Sequence, residues 1–139
     1  MNQSLNPHTG GIPVPKMLQE RTRQRILAYA QANYKVRYTS LDIRFRGSLC
    51  YIDAYTEPNL APGWPPKGYD ETREQMIERL RKTPTHLCRL RYFGHENQWS
   101  LAFFTYSNEK YSPCMFHTGT FFGSPEEAFD IGATYLQEQ

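Results

Sequence analysis

Four arginines stand in two pairs, Arg44 with Arg46 and Arg89 with Arg91, each pair separated by one apolar residue. In an extended chain residues two apart point to the same side. A guanidinium grips carboxylate or phosphate through paired N–H groups and stacks on aromatic rings. Tyr51, Tyr55 and Phe93 lie close by in the chain. If the two arginine-bearing strands are neighbours, one sheet face combines four guanidinium groups with aromatic rings, a surface able to hold phosphates and stack bases. Half-buried strands also require polar residues on their wet side, and Asp42 and Asp53 are placed to pair with some of these arginines. Arg21 and Arg25, with Lys16 and Arg23, give a basic side to an upstream helix; it could lie along a phosphate backbone or simply be solvated.

Other constellations are thinner. His86, Cys88, Cys114 and His117 are zinc-type ligands, but a His and a Cys two apart on a strand, without any CxxC, do not form a knuckle. Buried thiols and ordinary histidines account for them, so no metal is expected. Asp42, Asp53 and Glu57 are the carboxylates nearest the arginine pairs. A metal-dependent hydrolase would need two of them on one face, and a hairpin could bring Asp42 opposite Asp53. Ser100, Ser112 and Cys114 have no adjacent base or strained elbow. No glycine loop for phosphate and no dinucleotide fingerprint occurs, so no cofactor is expected. Tyr106, Tyr111, Phe121 and Phe122 cluster near what should be the sheet edge and are candidates for contact with another protein or a second copy.

The elements that must carry these residues read as follows. Residues 1–14 are polar, with Gly10-Gly11 and little apolar anchorage, and are expected to form a flexible tail ahead of one domain over 15–139. From Pro15 to Asn33, Leu18, Thr22, Ile26, Tyr29 and Ala30 recur at helical spacing. At Tyr38 the period becomes two: Leu41, Ile43 and Phe45 alternate with Asp42, Arg44 and Arg46. Gly47-Ser48 turns the chain into a second strand whose uncharged face is Cys50, Ile52 and Ala54. The proline-rich stretch 57–67 is a fixed loop, expected to be pinned by Leu60 and Trp64. Thr72 with Gln75 is a capping box for a second helix, with Asp70-Glu71 as the alternative start, and Thr83-Pro84 ends it.

Strands then resume. Over 85–93 strict alternation puts His86, Cys88, Leu90 and Tyr92 on one side and Leu87, Arg89, Arg91 and Phe93 on the other. A strand from Trp99 follows, then one containing Pro113, which marks an edge or a bulge, then a short strand at 120–122. Ser124, Pro125 and Glu127 carry the signals of a helix start for a last helix to about Leu136. Strands joined this tightly pair antiparallel. The expected fold is α+β: a mostly antiparallel sheet of five to six strands with three helices, mainly on one face.

Composition bounds the rest. With 139 residues the chain suits one domain. Its 14% aromatic content implies a core rich in rings. The longest apolar run, Ile26 to Ala30, is far short of the roughly 18 residues that span a bilayer. The start of the chain lacks a secretory pattern, so the cytoplasm is the expected compartment. Net charge is +2, but residues 1–46 carry eight Lys/Arg against two acids, which permits a basic patch. The expected function is binding without catalysis, through a protein partner or homo-oligomer, with nucleic acid on the arginine face as the alternative and a hydrolase third.

Overall fold

The computed structural model describes residues 6–136. Five strands, β1 (Ser40–Arg46), β2 (Leu49–Tyr55), β3 (Thr85–Tyr92), β4 (Trp99–Thr105) and β5 (Lys110–Cys114), form one antiparallel sheet in the order β1-β2-β3-β4-β5. Every strand pairs with its sequence neighbour; short connections require this for β1–β2, β3–β4 and β4–β5, whereas β2 and β3 pair antiparallel across a long connection. Helices α1 (Lys16–Tyr34) and α3 (Pro125–Gly132) pack together on one face, and α2 (Arg73–Arg81) sits in the β2–β3 connection without a crossover. The α+β architecture is the expected one.

The period-two pattern decides which side meets the helices. Ile43, Cys50, Ile52, Ala54, Cys88, Leu90, Tyr92, Trp99 and Leu101 form the core with Leu18, Ile26 and Ala30 of α1 and Ala128 and Phe129 of α3. α3 comes close to the sheet at Gly132: a Cβ there would lie 3.0 Å from Cys88 Sγ and 3.1 Å from Leu87 Cβ. Both proposed capping boxes form, at Thr72/Gln75 and Ser124/Glu127, with Pro125 opening α3. The last turn tightens into a 3-10 segment, Ala133–Leu136, rather than continuing as α-helix.

Several local expectations change. No strand forms at 120–122; Gly123 alone bridges Trp99, exchanging both backbone bonds at 2.8 and 3.0 Å. Trp64 is exposed, and the proline loop is held instead by Arg73, whose guanidinium donates to the carbonyls of Leu60, Ala61 and Trp64. Residues 10–14 of the segment read as a tail are tied to the sheet: Ile12 N–H donates to Tyr92 O, Val14 N–H to Gly47 O, and Val14 is buried. Both sheet edges are modified. On β1, Arg23 from α1 donates to the outward carbonyl of Ile43 and lies over the Phe45 ring. On β5, Pro113 has no N–H to offer, the edge position its sequence implied.

The two packed helices are also joined by Asp130, which accepts from the hydroxyls of Tyr29 and Tyr34. The hydrogen bond to Asp130, with burial, raises the Tyr29 phenol to about 12. Burial first, then the same carboxylate, raises Tyr34 to about 12. The folded chain therefore holds these protons more tightly than the unfolded one, whose phenols titrate near 10. Their contribution is complete below that pH and is lost as pH rises through the folded values. Urea midpoints recorded from pH 9 to 12 should fall across this window in the native chain and fall less in Tyr34→Phe. Parallel curves would remove the link.

Candidate functional site

The sheet face turned away from α1 and α3 collects the chemistry. Register sets it out in rows. Arg44, Tyr51, Arg89, Ala102 and Pro113 lie side by side across all five strands; Arg46, Leu49, Arg91 and Ser100 form a second row. Asp42 and Asp53 begin a third, continued by His86. The two arginine-bearing strands are not neighbours, since β2 lies between β1 and β3, but register still places the four arginines on one face, and Asp42 stands directly opposite Asp53.

His86 joins this face because of a β-bulge. Ile52 pairs with Cys88 but Asp53 pairs with His86, leaving Leu87 as the extra residue. Strict alternation had placed His86 with Cys88 and Leu87 with the arginines. In the structure Leu87 turns into the core and His86 points outward.

The bulge and the facing aspartates create a polar cluster. Two like charges directly opposite in a sheet repel. The Arg44 guanidinium relieves this by donating to Asp42 Oδ2 at 2.6 Å and to Asp53 Oδ2 at 2.8 Å. His86 Nδ1 lies 2.9 Å from the other Asp53 oxygen. Asp53 is nearly fully buried, so its charge depends on these partners. Its hydrogen bond, followed by that of Asp42, raises the Arg44 pKa further above its ordinary value.

Rings fill the space between the charges. Arg44 lies 5.4 Å from the centroid of Tyr51, and Arg89 lies 5.1 Å from that of Tyr111. Tyr51 meets Tyr111 edge-on, and Phe104 packs against Tyr111, His86 and Tyr106. Burial raises the Tyr111 and Tyr106 phenols, so both stay neutral. Tyr106 accepts the His86 backbone N–H at 2.7 Å. Among the described residues Arg46, Arg89 and Arg91 have no carboxylate within ion-pairing distance.

The remaining candidates lie elsewhere. Arg21 and Arg25 are on the helical layer, paired with Glu96 and Glu126, and are not part of the arginine face. Phe121 packs edge-on to His8, and Phe122 to Phe93, apart from the Tyr106–Tyr111 cluster. Cys88 is buried in the core while His86 faces outward, and among the described residues no three His, Cys, Asp or Glu side chains are grouped to hold a metal. Glu57 is ion-paired with Arg81 beside a cleft of about 490 Å³ that is also lined by Asn59, Thr83, Thr85 and Tyr106. Burial raises the Cys50 thiol to about 12, which leaves it unreactive.

No family model matches the chain, and no curated protein or solved structure does either.

Proposed function

We propose that the open sheet face is a docking surface for a protein partner that presents carboxylates. The observation that carries this is the set of arginines without a carboxylate partner among the described residues, Arg46, Arg89 and Arg91, interleaved with the rings of Tyr51, Phe104 and Tyr111. Tyrosine and arginine are the residues that anchor protein interfaces, whereas lysine and glutamate are depleted there. The strand positions on this face include neither lysine nor glutamate. Arg44 supports a protein over a nucleic acid, because two aspartates already neutralise it. Pairing of two copies through this face would set each free arginine against its twin's arginine-rich surface, since a two-fold interface brings the same patch from both sides. That charge pattern favours a different, acidic protein.

Single-stranded nucleic acid is the second reading, favoured by the arginine–tyrosine stacking geometry at Arg89 and Tyr111. A photo-crosslinking amino acid placed at Tyr55 or Tyr106, in the cell that makes the protein, separates the two. The expected result is a discrete protein adduct that weakens with Arg89→Glu and is absent when the probe stands at exposed Met17 on α1. A nuclease-sensitive adduct would favour nucleic acid instead. Equal labelling from Tyr106 and Met17 would end the proposal.

A further inference from the structure

We infer that Arg89, Arg91 and Ser100 form an oxyanion subsite on the open face, suited to a tetrahedral dianion of the phosphate class and capped by the strap Pro7–His8. The three side chains converge because Arg91 stands directly opposite Ser100 and Arg89 lies two residues along the same strand. With Ala102, Pro113, Pro7 and His8 they line one small cavity.

Two features mark the place as built for negative charge. Neither arginine has a carboxylate partner among the described residues, and both are half-buried; Arg91 donates only to the carbonyl of Gly10. Like charges this close, partly withdrawn from water, disfavour each other, and burial together with Arg89 lowers the Arg91 pKa. The second feature is Ser100, only 3% exposed, whose hydroxyl has no hydrogen-bond partner among the described residues although it borders the cavity. Unlike Thr22 Oγ1, which is buried without a partner, the Ser100 hydroxyl keeps some exposed surface and is free to donate. An anion bound between the guanidinium groups would accept from both arginines and from this hydroxyl, satisfying all three at once.

The strap decides access. The cavity, about 10 Å³, has room for about one water, so a tetrahedral anion enters only when Pro7 and His8 lift. Pro7 and His8 are half-buried, and among the described residues their hydrogen bonds are local: the backbone N–H groups of His8 and Thr9 donate to Asn6, and the His8 ring meets Phe121 edge-on. Beyond this point the chain is fixed: Gly10 O accepts from Ser48 and Arg91. Gly11 lies so close to Tyr92 O that a Cβ would sit 2.5 Å from it. Gly10 and Gly11 both have positive φ, 76° and 87°, which glycine adopts without strain, so this pinned pair ends the strap and sets the turn from which Pro7 and His8 reach the cavity.

The inference rests on the open face being a binding surface only for its biological role; the subsite itself can be tested without a partner. Backbone amide shifts would be followed while sodium phosphate is added to the full chain, against sodium chloride at matched ionic strength. The expected result is a saturable shift at Ser100, Ala102 and the residues flanking Pro113 with phosphate alone. Arg89→Gln should weaken it about tenfold or more, the worth of one charge-assisted hydrogen bond. Ser100→Ala should weaken it, Arg21→Gln should leave it unchanged, and His8→Ala should tighten it by loosening the strap. A phosphoserine peptide that binds more tightly than free phosphate would identify a partner-borne group, and equal affinity would identify the free ion. Phosphate that behaves as chloride does, or that binds Arg89→Gln and Ser100→Ala as it binds the native chain, overturns the subsite. These outcomes are independent of the crosslinking result.

Discussion

Trp99→Ala should lower the free energy of unfolding by about 3–5 kcal/mol, the range for removing a large buried aromatic side chain. Trp99 is fully buried at the start of β4. Its ring packs on Tyr92, its Nε1–H donates to Glu96 O at 2.9 Å, and its backbone exchanges two hydrogen bonds with Gly123. One residue therefore joins the β3–β4 turn, the core and the approach to α3. Truncation leaves a cavity and also removes one of the two donors to the Glu96 carbonyl, which keeps the Arg25 guanidinium. The check is a urea titration with the slope compared with that of the native chain. A loss below about 1 kcal/mol at unchanged slope would mean that the site collapses freely and that the ring is not a keystone of the core.

Asp53→Asn should cost about 2–3 kcal/mol, less than breaking a fully buried pair, because Arg44 and His86 are partly exposed and can turn to water. The amide keeps the shape but removes the charge that both partners address. The substitution also has a second, diagnostic effect. With only Asp42 left beside it, Arg44 joins Arg46, Arg89 and Arg91 as a cation on the open face. Affinity for a polyanion such as heparin or an oligonucleotide should rise, with a steeper dependence on salt. Affinity that is unchanged at low salt would show that Arg44 stays locked by Asp42 and that the face carries less free charge than its arginines suggest.

How far the sequence revealed this arrangement depends on the kind of signal. Alternation in SLDIRFR and LCYIDAY set the faces of the first hairpin correctly, because one uncharged side can only face a core. Ser124-Pro125-Glu127 set the start of α3, since the cap chemistry is local. The same local logic failed at Leu87. A bulge inserts one residue without leaving a mark in residue type, and from there every position changes sides. His86 was therefore assigned to the wrong face, and its pairing with Asp53 was invisible. The arginine face was legible as a pattern, yet its charge balance was not: that Arg44 serves two aspartates while Arg89 and Arg91 serve none among the described residues depends on register and rotamer. The place of Ser100 beside the arginines carried no signal in the sequence, because only the register of β3 with β4 sets it opposite Arg91.

The two modified edges set the direction from which the molecule can be approached. A sheet of five strands could in principle lengthen by one strand for every copy that arrives alongside it. Here a newcomer at β1 meets a carbonyl already occupied by Arg23, and at β5 a proline without an N–H. Growth in the plane of the sheet is impeded at one point on each edge, while the perpendicular direction leads a visitor onto the rings and arginines.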